Sequence, residues 1–215
     1  MLDCKTTFIF LAFMIFSLFH PTEAKAYQPK SGSVTATFGS YVYRANFNPP
    51  AESNNPILAG NALIVNGDVS NSGSLELGMY YGHHLYSREE NHLLIIEKVK
   101  RLHFTMGYKW WLTRPYSLSL TFFSTYSIGD PTLEYSNLGP TDDYFPTSAE
   151  KPVQYGFDVS LQYDIWEKDK FAVISQVRYA YPTTRESNEK SDQYGIVLGV
   201  RYQLQETPVA ENERP

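Results

Sequence analysis

The sequence predicts an all-β fold: a closed, antiparallel, up-and-down barrel of eight strands that crosses a membrane. Three observations predict it. Beyond residue 27, apolar residues alternate with polar or small ones at period two, and helical periodicity is hard to find. The alternating runs last about ten to thirteen residues, which suits a tilted bilayer crossing and is about twice the usual strand length in soluble proteins. The apolar faces begin and end in aromatic residues, as a band of lipid-facing side chains does where it meets water on both sides.

The chain has 215 residues, 42% of them hydrophobic, with a mean hydropathy of -0.35. That is too polar for a bundle of membrane helices and too apolar for a disordered chain. A net charge of -5 offers no basic surface to a phosphate backbone, so nucleic acid is excluded as a partner. The single cysteine, Cys4, allows neither an internal disulfide nor a cysteine metal cluster.

Residues 1–26 have the layout of a signal peptide. Lys5 supplies the positive start, Phe8 to Phe19 the apolar stretch, and Ala24-Lys25-Ala26 a small-x-small cleavage site. Cleavage there would start the mature chain at Tyr27 and remove Cys4, which rules out a thiol enzyme.

The strands are placed in chain order. Val34, Ala36, Phe38 and Val42 alternate with Thr35, Thr37, Gly39 and Tyr41. Leu75, Leu77, Met79 and Tyr81 oppose Glu76, Gly78 and Tyr80. The run Leu102 to Leu112 sets Phe104, Met106, Tyr108 and Trp110 against Arg101, His103, Thr105, Lys109 and Trp111. Tyr116 to Ile128, Val153 to Ile165 (with Tyr163 and Ile165 on the apolar face), Phe171 to Tyr181 and Tyr194 to Leu204 repeat the pattern. An eighth strand is placed at Ile57 to Val65, where alternation is poor, because closed membrane sheets normally have an even strand number. Short turns at Gly67–Gly73, Thr113–Pro115 and Glu167–Lys170 alternate with long links at 47–55, 87–100, 129–150 and 182–192. That order puts all the long links at one end of the barrel.

The last strand, with Gly199 followed by Tyr202 and Leu204, resembles the terminal assembly signal of Gram-negative outer-membrane proteins. The mature layout is similar to the small OmpA/OmpX-type eight-stranded barrels. The resemblance implies a barrel domain over 27–204 and a polar tail over 205–215. It also implies insertion by the barrel-assembly machinery, outer-membrane lipid and lipopolysaccharide as surroundings, a monomer, and no cofactor. It names an architecture and no activity.

An eight-stranded barrel has room inside only for side chains. Glu76, Asp158 and Asp164 therefore face Arg101, Lys109, Arg178 and Arg201 in the lumen, with His103 in phase. These eight are expected to pair as a polar plug, because an unpaired buried charge is costly. The expected role is structural or surface-interactive, through long loops that could meet an extracellular ligand. Three rivals remain. A narrow channel would need an open lumen or a lateral gap. A lipid-modifying enzyme would need His83 within reach of an acid and a serine, for which Ser87 and Glu89 are the neighbours. A soluble lipocalin-like carrier would turn the apolar face inward. His83 and His84 point to opposite faces and cannot share a metal. The acidic link 129–150 lacks the ligand spacing of a calcium loop. Leu93 to Ile96 is apolar beyond the membrane band, either as continued strand or as a partner patch.

Overall fold

A computed structural model describes residues 27–47, 56–113, 115–139 and 144–205. The expected signal peptide and the tail from residue 206 lie outside the described residues. Gln205, expected to open that tail, instead ends the last strand.

Ten strands are present among the described residues: β1 Val34–Ala45, β2 Leu58–Asp68, β3 Gly73–Glu90, β4 Leu93–Thr113, β5 Tyr116–Ser127, β6 Thr132–Ser136, β7 Val153–Lys168, β8 Phe171–Pro182, β9 Glu189–Lys190 and β10 Gln193–Gln205. Eight of them close the barrel in the order β1-β2-β3-β4-β5-β7-β8-β10, and β10 returns to pair with β1. Every pairing is antiparallel, and with β10 paired to β1 the ring of ladders has no open edge. Such closure is what a sheet needs in a solvent without hydrogen bonds. The poorly alternating second strand is a full member of the wall, paired with β1 over 58–67 and with β3 over 61–68.

The two faces separate as the period-two pattern demands. Phe38 and Met106 on the outer face are 65% exposed, whereas Lys109 and Gln176 on the inner face are fully buried. An outer face of Leu, Met, Phe and Tyr beside an inner face of Ser, Thr, Gln and charged groups suits lipid outside. It is the reverse of a soluble carrier.

Two features depart from the sequence expectation. Alternation in β7 slips at a bulge between Asp164 and Trp166. Trp166 takes the outward position, Ile165 is half-buried, and Tyr163 is buried against the ring of Tyr116 at 5.1 Å. A bulge adds one residue to one side of a ladder and re-aims the side chains beyond it.

The second departure is larger. The expected long link at 87–100 is a continuation of β3 and β4, which turn on Asn91 and His92, both left-handed at φ 50° and 68°. β2 leaves β3 after Tyr81, and β5 leaves β4 at Arg101, so residues 83–100 stand beyond the barrel wall as an arm of β3 and β4, flanked by β6 along Ile95–Lys98 and by β9 along Ser87 and Arg88.

Both faces of this arm are covered. Leu85 and Ile96 pack on Ala45 and Phe47, while Tyr86 and Val99 pack on Ala149. Ser87 and Arg88 pair with Lys190 and Glu189 of β9, beyond β1 and β10 on the far side of the mouth. The arm therefore folds across the opening rather than pointing away from it.

Candidate functional site

The lumen is filled in layers, and each layer follows from which strands put inward positions at the same height. At the turn end, Tyr27 enters the barrel. Its hydroxyl donates to Asp68 at 2.6 Å, its ring lies 5.1 Å from that of Trp111, and the Arg201 guanidinium stacks over it at 4.5 Å. Asp68 also accepts from Ser74 at 2.6 Å, and Arg201 pairs with Asp164 at 2.8 Å. One layer up, Lys109 bridges Glu76 at 2.9 Å and Gln162 at 2.9 Å, while Ser119 donates to Glu76.

The middle layer holds the Arg178–Asp158 ion pair, with the guanidinium packed on Tyr80 at 3.4 Å and on Tyr41 at 5.6 Å. Above it His103 shares a hydrogen bond of 2.8 Å with Thr125, and its other nitrogen lies 4.0 Å from Asp158. A hydroxyl, an imidazole and a carboxylate in that order could activate a nucleophile. However, the two cavities beside His103 have volumes of about 10 Å³ each. That is room for about one water molecule and for no lipid or sugar substrate.

At the top, fully buried Arg101 donates to the carbonyls of Ser148, Ala149 and Lys151 and stacks over Tyr86 at 5.0 Å. Of the eight charged lumen positions read from sequence, Glu76–Lys109, Asp158–Arg178 and Asp164–Arg201 come together as pairs. His103 lies beside the second of these, and Arg101 is held by backbone oxygens instead of a carboxylate. Tyr27 and Asp68 also plug the lumen, and sequence reasoning missed both. Asp68 sits at the end of the weakest strand and Tyr27 precedes the first, so neither belongs to a recognisable alternating run.

The arm is fastened over this column by side chains and by strand pairing. Tyr43 of β1 donates to the His83 carbonyl at 2.7 Å, across the place where β3 leaves β2. A side chain at Gly82 would strike that hydroxyl and displace Tyr43 from the His83 carbonyl. Glu97 accepts from Thr147 at 2.5 Å and from Tyr144 at 2.6 Å, tying the arm to the segment that caps Arg101. Burial, together with the Glu97 and Glu150 carboxylates it faces, pushes the Tyr144 phenol above its usual range. β9 pairs with Ser87 and Arg88 and β6 with Ile95 to Lys98, while Asn46 donates to Asp192 at 2.6 Å beside the arm. His83 looks toward Lys98 and Lys100, its neighbours on β4, and Ser87 pairs with β9. No His-Ser-acid constellation forms around His83 among the described residues.

The assembly-signal residues sit on β10. Gly199 faces inward opposite Gly39 of β1, where any side chain would meet the β1 strand. Tyr202 faces outward with its ring 4.8 Å from Phe171, and Leu204 is exposed.

A closed eight-stranded barrel with an apolar outer wall and a packed polar interior is the fold of the small outer-membrane β-barrels. No protein-family model matches the chain, and no curated protein matches its sequence. Solved structures do match. The outer membrane protein OprG from Pseudomonas aeruginosa aligns over 85% of this chain and 100% of its own, at 12% identity and a TM-score of 0.53. Ail, the attachment invasion locus protein of Yersinia pestis, covers 80% of this chain and 99% of its own, at 14% identity and a TM-score of 0.45. Outer membrane protein AlkL aligns over 89% of this chain and 99% of its own at 14% identity, with a TM-score of 0.37. At such identities the likeness is one of fold.

Proposed function

We propose that the protein is a non-conducting outer-membrane anchor of a Gram-negative cell that acts through the surface it presents above the membrane. The observation that carries this reading is the filled lumen: three ion pairs stacked along the axis, with cavities of only about 10 Å³ above them beside His103. A hydrated solute needs a continuous path, and each pair in the way is buried and costly to separate.

The rival channel reading requires a lateral gap. Above Tyr81, where β3 leaves β2, Tyr43 reaches across to the His83 carbonyl, and above Arg101, where β4 leaves β5, the Ile128 N–H donates to the Lys100 carbonyl. The outward Tyr and Phe belts support insertion in lipid, with lipopolysaccharide as the outer-leaflet surroundings. Gly199, Tyr202 and Leu204 at the closing strand support delivery by the barrel-assembly machinery. The His103 column offers no space for a substrate, which favours a non-enzymatic role.

The test is membrane fractionation and electrophoresis of heated and unheated samples, followed by swelling of proteoliposomes in small sugars and amino acids. An outer-membrane band that shifts on heating, with swelling no faster than in empty liposomes, is the expected result. Swelling above the empty control would overturn the closed-anchor reading, and a soluble product without the shift would overturn the membrane reading.

A further inference from the structure

Resting on that surface-interaction reading, we propose that the trough between the arm tip and the β8–β10 connection binds a neutral saccharide unit. The trough has a volume of about 820 Å³ and is lined by Asn46, Asn91, His92, Tyr181, Asn188 and Lys190, among others. This lies within the range of about 300–1,000 Å³ for sites that take drug-sized ligands, and it suits two or three sugar rings.

The lining chemistry selects the ligand. A sugar offers adjacent hydroxyls and a patch of C–H bonds, so it is held by planar amides that donate and accept at once and by an aromatic face. Asn91 and Asn188 carry such amides, and neither side chain makes a hydrogen bond within the described residues. The Lys190 ammonium is likewise uncommitted.

Tyr181 supplies the ring. Arg185 holds it still, stacking at 4.8 Å from its centre and donating to its hydroxyl at 2.9 Å. Asp192 is already engaged by Asn46 and Tyr179.

The charged lining consists of Glu89, Glu189 and Asp192 against Arg185 and Lys190. That balance gives no positive field for a sulfated or phosphorylated chain, and the polar walls disfavour an apolar guest. The trough opens just above the outward rings of Tyr179 and Tyr181, the level reached both by a glycolipid headgroup and by a free glycan. An occupant would touch the arm tip at Asn91 and the β9 region at Asn188 and Lys190. It would thereby hold the arm closed.

The experiment uses the full barrel in phosphatidylcholine nanodiscs, which carry no sugar headgroup. Saturation-transfer NMR is recorded with lactose, maltotriose and chitobiose, and with a sulfated disaccharide. At least one neutral sugar should receive saturation and slow hydrogen exchange of the arm amides. The effect should fall at least tenfold in Tyr181→Ala and in Asn188→Ala, both of which should retain the heat-dependent electrophoretic shift.

Displacement of the sugar by lipopolysaccharide bearing its core sugars, but not by lipid A alone, would assign a glycolipid source; no displacement would assign a free glycan. Absence of transfer from all three neutral sugars, transfer unchanged in both variants, or stronger binding of the sulfated sugar would overturn the proposal. Failure here with a closed, non-swelling barrel leaves the anchor reading standing, whereas solute swelling would remove that reading independently.

Discussion

The barrel wall and the arm above it are made of the same two strands, β3 and β4, yet they are written in different codes. Within the wall, each strand has lipid on one side and a polar interior on the other. Leu75, Leu77 and Met79 therefore alternate with Glu76, Gly78 and Tyr80, and the sequence announces the fold. In the arm, both sides are covered by protein. Leu85, Tyr86 and Ser87 are buried in succession, as are Ile95, Ile96 and Glu97. The period-two contrast vanishes although the strand continues. Alternation reports a difference between two environments, and a strand with the same environment on both faces does not display it.

The two regions also differ in how they are held, which makes the comparison breakable. The wall closes around buried ion pairs, so its loss should be costly and global. In Lys109→Met the Glu76 carboxylate stays buried without its ion-pair partner, keeping the Ser119 hydrogen bond. Removing one partner of such a pair costs about 3–5 kcal/mol, read as a lower urea midpoint for the whole barrel. The double change Glu76→Leu with Lys109→Met should recover most of that loss.

The arm stands outside the closed ring and is held there by its own packing and hydrogen bonds, so its loss should be local. Glu97→Ala deprives Thr147 of its acceptor and leaves Tyr144 with Glu150 alone, a cost of about 1–3 kcal/mol. Amide exchange over 83–100 should accelerate on the order of tenfold to a hundredfold, with exchange in the barrel wall unchanged. Equal acceleration in both regions would erase the distinction.

A smaller effect concerns pH. The Lys151 ammonium, bonded to Glu186 at 2.6 Å, holds that carboxyl below its ordinary value. Its folded-state value is the lower one, so the stabilisation is present above the ordinary carboxylate range and is lost as pH falls through the depressed value. Both partners are more than a third exposed and solvent-screened, so only a slight loosening of the 182–192 connection is expected on acidification. Glu186→Gln should abolish it.

How much of this was legible depends on the same physics. Seven strands, their faces and the lumen-facing set from Glu76 to Arg201 could be read because lipid and lumen impose opposite demands on adjacent residues. The second strand could be placed only by the need to close the sheet. Its inward Ala62 and Ile64 and outward Asn61 blur the contrast, since Tyr41, Tyr43 and Tyr80 make that part of the interior apolar. The β7 bulge left no mark in the pattern before Trp166. The arm was legible only as an unexplained apolar run at Leu93 to Ile96. Tyr27 and Asp68 were hidden because a plug needs shape and a hydrogen bond, and neither repeats along a chain.

The folding of the arm across the mouth can be tested with two cysteines. Ser87 and Lys190 are direct cross-strand partners between β3 and β9, a spacing that a disulfide can bridge. With Cys4 changed to Ser, Ser87→Cys and Lys190→Cys should cross-link nearly completely under mild oxidation in native membranes, and the product should still shift on heating. An arm that stands straight out from the wall would leave both thiols free to react with a maleimide and form no cross-link.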